Sequence, residues 1–185
     1  MTTTKITNPF VDRESPVLRE VALPVSEKDF GSKKIEDIVK KMQKALHAEE
    51  DGVAIAAPQI GVGLRIFVVA GSAVLLAKRK SGETDEGKEA PEDLVFINPE
   101  IIKVSRQKKK MEEGCLSLRW LYGQVLRHEK VTIKAYTEAG KAVNVGASGL
   151  LAQIFQHEID HLNGILFTDK AENVRDVPPE NEPEN

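Results

Sequence analysis

The sequence predicts an α+β fold in which mixed and antiparallel β-sheets pack around one central helix carrying an HExxH motif. Two observations carry that expectation. Residues 150–161 form a long apolar run at helical spacing, ending in His157-Glu158-Ile159-Asp160-His161, with Gly164 just past it as a stop signal. Ahead of this run lie several β-rich stretches, at 64–69, 73–76, 94–104 and 125–136, and a single clear amphipathic helix at 33–48.

Taken in order, residues 1–31 are irregular and contain proline; Pro16-Val17-Leu18-Arg19 and Leu23-Pro24-Val25 read as a wrap over the core. In the helix at 33–48, Ile35, Ile38, Val39, Met42, Ala45 and Leu46 recur at helical spacing while lysines and acids fill the other face. Pro58 and the glycines of Gly52-Val-Ala-Ile-Ala-Ala-Pro-Gln59-Ile-Gly61 rule out a helix interior. Its small side chains suit either a peptide laid alongside as an added strand or a tightly packed turn, and the residues alone do not choose. Residues 64–69 and 73–76 read as buried strands, and 78–92, full of Lys, Glu, Gly and Ser, as a mobile loop. Strand 94–104 is interrupted at Asn98-Pro99, and residues 125–136 alternate as one strand. From 171 to 185 the chain is acidic and Pro-rich with few apolar residues, so the domain is expected to span 1–170 and a disordered tail 171–185.

The chain of 185 residues, 41% hydrophobic and 30% charged, suits one globular domain with a sizeable core. Its net charge of −3 disfavours a nucleic-acid binder, and the basic run at 106–110 lacks interleaved aromatics, so it reads as a solvated edge. No apolar run could span a bilayer, and the first ten residues resemble neither a signal nor a transit peptide. The expected location is cytoplasmic.

Two histidines four apart share one helix face, so both imidazoles can bind one cation while Glu158 reaches a water beside it. The bland alternative is a solvated helix with two unrelated histidines. A catalytic site of this kind needs a third ligand and leaves one position open. The extended pattern ending in a third His finds Phe167, which cannot ligate, and a later acid finds only Glu172 at the edge of the tail. His47, at a helix end, and His128 are weaker candidates. Cys115 is the lone cysteine, set between Gly114 and Ser117 where a turn can aim it inward, and thiolate binds borderline and soft cations strongly.

With these residues in view, the sequence resembles the peptide deformylases. Three ordered segments carry the likeness: Gly52 to Gly61, Glu113-Gly-Cys-Leu-Ser117, and Gln156-His-Glu-Ile-Asp-His-Leu-Asn-Gly164. There are two departures. Ala54 stands where the family keeps glycine, and Arg119-Trp120 follows Ser117-Leu118 where the family commonly has proline. The resemblance implies a hydrolase that removes the N-formyl group from N-formylmethionine of new polypeptides. It implies one divalent metal on Cys115, His157 and His161, Fe(II) natively, with nickel, cobalt or zinc able to replace it. By the same resemblance Glu158 is the proton carrier, and the Gln59 amide and the Leu116 backbone N–H are the oxyanion donors. The substrate backbone would pair near Gly52, Val53 and Gly114, and the methionine pocket would include Leu150 and Ile154. Glu113 and Arg127 would pair ionically to hold the Cys115 loop. The implied partners are N-formylmethionyl nascent peptides, with transient ribosome association allowed and no direct nucleic acid or membrane contact. Three rivals remain: an HExxH metalloprotease, a structural metal-binding module with four protein ligands, and a cysteine hydrolase using Cys115 with a His base.

Overall fold

The computed structural model describes residues 9–82 and 89–178. Helix α1, Lys33–His47, begins where the Ser32 hydroxyl accepts a hydrogen bond from the Ile35 N–H at 3.4 Å, an ordinary N-cap. Its buried stripe of Ile35, Val39, Met42, Ala45 and Leu46 matches the sequence expectation and packs on the main core.

A five-stranded antiparallel sheet follows, built from β1 (Ala54–Ala56), β2 (Ile66–Val69), β3 (Leu94–Val104), β6 (Lys130–Tyr136) and β7 (Ala142–Ser148), in the order β1-β2-β3-β6-β7. A second sheet of three antiparallel strands comprises β4 (Lys108–Gly114), β5 (Leu121–His128) and β8 (Glu172–Asp176), in the order β4-β5-β8. Helix α3, Gly149–Leu162, packs against strands of both sheets and is buried on nearly every side from Ala152 to Leu162. Phe67, Phe96 and Phe155 lock it to the larger sheet with ring centroids 4.9 to 5.8 Å apart.

The N-terminal segment wraps the core as expected. Leu18 is fully buried, the Ala22 N–H donates to the Leu162 carbonyl at the end of α3, and the Asn98 side chain bonds the Val25 backbone at both N–H and C=O. Asn98 takes a positive φ of 50° and the β3–β6 pairing shifts between Ile97 and Glu100, which is the interruption expected at Asn98-Pro99.

Four expectations are corrected. Residues 73–76 are helical, not strand: α2 runs Gly71–Lys80 and buries Gly71, Ala73, Val74 and Ala77. A short apolar run has no periodicity that separates strand from buried helix, and here the Gly71 N–H is received by the Asp93 carboxylate, which starts the helix. The loop expected at 78–92 therefore begins only after Lys80, and its centre, 83–88, lies outside the described residues. Residues 125–136 are two strands in two sheets, parted at Glu129. The segment from 171 on is not all disordered, because Glu172–Asp176 is strand β8 on β5, with Leu121 opposite Asp176. Its polar side chains carry no core, but its backbone completes an edge that β5 would otherwise expose; residues 179–185 lie outside the described residues.

Candidate active site

The central apolar helix fixes two of the site's side chains. His157 and His161 sit one turn apart on α3, with ring centroids 4.9 Å apart. Cys115 immediately follows β4, where the chain turns back toward β5 through hydrogen bonds from the Leu118 N–H to the Cys115 carbonyl and from the Leu121 N–H to the Leu118 carbonyl. This brings the Cys115 sulfur to 3.2 Å from His161 Nε2. One ligand atom from each of Cys115, His157 and His161 lies within 4.8 Å of the others, a spacing that one cation could bridge.

Gln59 comes from the short 3-10 turn Ala57–Ile60, with Pro58 near its start and Gly61 ending it at φ 79°. The Ala56 N–H donates to Gln59 Oε1 at 2.8 Å, so the amide nitrogen is the end that faces the site. That nitrogen donates to Ser117 Oγ at 3.1 Å and lies 3.5 Å from the Cys115 sulfur.

Beneath these groups runs a buried ionic network. Arg127 donates through Nε and Nη2 to the two oxygens of Glu113 at 2.7 and 2.8 Å, and through Nη1 to Asp160 at 2.6 Å. Lys170 closes on the same Asp160 carboxylate at 2.7 Å. Glu113 Oε2 in turn accepts a hydrogen bond from His157 Nδ1 at 2.9 Å, which fixes the ring and leaves Nε2 as the nitrogen that could serve a ligand. Burial pushes the Glu113 carboxyl up, but Arg127 and His157 more than offset it and hold it at about 2.

The donor set fits a divalent cation. Burial raises the Cys115 thiol, yet His161 and His157 beside it outweigh burial and hold it well below its usual range, as thiolate. Burial raises Glu158 to about 7 against the pull of both histidines. Its Oε2, with His161 Nδ1, is a buried polar atom that has no hydrogen-bond partner among the described residues. A soft anionic sulfur, two imidazoles and an unpartnered carboxylate together suit a soft or borderline metal with a proton-transfer group beside it.

A cleft of about 360 Å³ opens over this centre. Its lining takes in Val53, Gln59, Gly114, Cys115, Leu116, Leu150, Ile154, His157 and Glu158, so most of the residues singled out from sequence converge on one place. His161 sits at the cluster's base, 1% exposed. Gly52 is set apart. It does not line the cleft, and a Cβ there would lie 2.6 Å from the Leu46 carbonyl oxygen, so its smallness serves the packing of α1. His47 pairs with Asp93, the His128 ring with the Ser105 carbonyl and Glu172 with Lys110, so none of the weaker ligand candidates joins the cluster. Phe167, found where a third His was sought, stacks on His157 with ring centroids 6.3 Å apart.

Sequence reasoning missed Ser117, Asp160 and Lys170. The first two lie inside the quoted motifs and could have been suspected from that position, whereas Lys170 carries no local signal.

The family model described as polypeptide deformylase matches residues 7–177. Among curated proteins, the peptide deformylase of Carboxydothermus hydrogenoformans is 42% identical over 164 residues, covering 89% of this chain and 93% of that one. That of Halothermothrix orenii is 46% identical over 156 residues, covering 84% and 88%. Among solved structures, an actinonin-bound class I type b peptide deformylase from Acinetobacter baumannii superposes with a TM-score of 0.75 at 33% identity, covering 91% of this chain and 100% of that one. The same enzyme bound to Met-Ala-Ser gives a TM-score of 0.74 at 34% identity, covering 90% and 99%. With that coverage and a metal-fitting Cys/His/His cluster under one cleft, this chain belongs to the polypeptide deformylase family.

Proposed function

We infer that this chain is a metal-dependent hydrolase that removes the N-formyl group from the initiator methionine of new polypeptides, releasing formate and a free amine. The observation that carries the reading is the meeting of Cys115 and His161 at 3.2 Å, with His157 in the same cluster and Glu158 buried beside them. Cys115, His157 and His161 would hold the cation, Fe(II) natively, with nickel, cobalt or zinc able to take its place. When bound, it supplies a Lewis acid and lowers the pKa of water to about 7.

The remaining steps belong to the chain's own groups. Glu158, at about 7, is poised to accept a proton from the attacking water and return it to the departing amine. The Gln59 amide nitrogen and the Leu116 backbone N–H donate to the oxygen of the formyl group as it gains charge. Gln59 reaches this task already oriented, because Ala56 fixes its other end. Val53 and Gly114 both line the cleft and would pair by backbone with an extended peptide, and Leu150 and Ile154, in the same lining, would receive the methionine side chain. The Acinetobacter relative is bound to Met-Ala-Ser, which has the sequence of a deformylated product and supports a methionine-led peptide as the occupant.

Nascent chains are the partners this chemistry calls for, with transient docking at the ribosome and a cytoplasmic location following from that role. Among the described residues no helix is long and apolar enough to cross a membrane. Formate release from a formyl-Met dipeptide by wild type and Glu158→Ala tests the reading, with the variant expected to lose about 10²-fold or more. Equal rates would refute the assigned roles. Cleavage of N-acetylated or unblocked peptides in preference to formylated ones would favour the metalloprotease alternative.

A further inference from the structure

The cleft has residues that the chemistry above does not use. Asp51, Arg119, Trp120, Leu121 and Tyr122 line it together with Gln59, Cys115 and His157. Trp120 holds a φ of 68°, a left-handed backbone that non-glycine residues seldom adopt. Its surroundings enforce that conformation. The Val177 N–H, just past β8, donates to the Trp120 carbonyl at 2.9 Å, and Leu121 is registered against Asp176. The neighbouring Arg119 is fixed as well: its guanidinium donates to both oxygens of Asp51 at 3.0 and 3.2 Å and pairs with Glu49. Those acids lie just before β1, so Arg119 ties the Cys115 loop to the segment carrying Val53. The Arg119 guanidinium carbon also stands 5.6 Å from the centre of the Trp120 ring, within cation–π range.

A left-handed backbone tied to the β8 segment, at a residue that lines the cleft, points to a role for that side chain. We propose that Trp120, backed by Arg119, is the specificity-determining wall of the groove beyond the methionine pocket, and that it selects formylated peptides with aromatic residues after the methionine. This rests on the deformylase reading and deepens it. The indole offers a flat apolar face to a passing side chain, and Arg119 acts as a positioning residue that keeps the ring and the loop in place through its ties to Glu49 and Asp51. Ring-on-ring contact supplies selectivity on the order of 3- to 10-fold.

The test compares kcat and KM of the metal-loaded enzyme for formyl-Met-Phe-Phe and formyl-Met-Ala-Ala. Wild type should favour the phenylalanine peptide by roughly 3- to 10-fold in kcat/KM, with the difference in KM. Trp120→Gly, which suits the positive φ, should bring the ratio to about 1, and Trp120→Phe should restore most of it. Arg119→Ala should lower the ratio part way, again through KM. A wild-type ratio near 1, a ratio kept in Trp120→Gly, or one lost equally in Trp120→Phe overturns this inference while leaving the deformylase reading intact. No formate from either peptide with wild type fells both.

Discussion

Arg127 offers the sharpest test of how the site is held. Arg127 is 3% exposed, and its guanidinium's hydrogen bonds reach Glu113 twice and Asp160 once. Arg127→Met fills a similar volume but removes all of them. Asp160 keeps Lys170 as a partner, whereas Glu113 is left as a buried charge facing only His157. Breaking one partner out of a buried ion pair costs about 3–5 kcal/mol, chiefly because the other charge stays buried and unpaired. For a domain of this size that corresponds to a fall in melting temperature of roughly 6–20 °C. Urea unfolding, followed by circular dichroism on the metal-loaded protein, measures it. The double variant Glu113→Gln, Arg127→Met removes the stranded charge as well as the pair, so it should be more stable than Arg127→Met alone. A loss below about 1 kcal/mol in the single variant, or a double variant no better than the single, would refute the view that unpaired burial of Glu113 sets the cost.

Glu113 also sets an acid limit. Its carboxyl is held at about 2 against an ordinary 4.5, so the folded state favours the ionised form. The stabilisation is fully present above about pH 4.5 and is lost as pH falls through about 2, a window corresponding to about 3 kcal/mol. Denaturant titrations across that range should show a steeper loss in wild type than in Glu113→Gln, and parallel curves would contradict it. Gln59→Leu keeps the packing near Pro58 but removes an amide donor aimed at the cleft; kcat for a formyl-Met peptide should fall about 10²-fold or more, with KM little changed. Gly164→Ala places a Cβ at a φ of 71° and 2.4 Å from the Arg19 carbonyl oxygen, where α3 ends under the N-terminal wrap. It should lower stability by at least about 1–2 kcal/mol, read as a lower melting temperature; an unchanged one would contradict the close approach.

The sequence by itself determined the elements whose signal is local. The stripe of α1 and the apolar run of α3 are periodic, so a backbone of known pitch places their faces without any partner. The HExxH spacing likewise puts His157 and His161 on one turn, because four residues make about one turn of any α-helix. The pattern at Glu113 to Ser117 named Cys115 as a ligand candidate through the chemistry of sulfur. Only the tertiary structure decided that this sulfur reaches His161, since β4, its reversal and α3 must first be packed together. It also decided what local pattern cannot encode. The residues at 73–76 became helix because the Asp93 carboxylate receives the Gly71 N–H from 22 residues away. Residues 172–176 became a strand because β5 had an edge to fill, and the chain just beyond them then tied the Trp120 backbone beside the cleft. In each case the deciding partner is distant in sequence, and a hydrogen bond or ion pair to a distant partner leaves no periodicity in the chain that makes it.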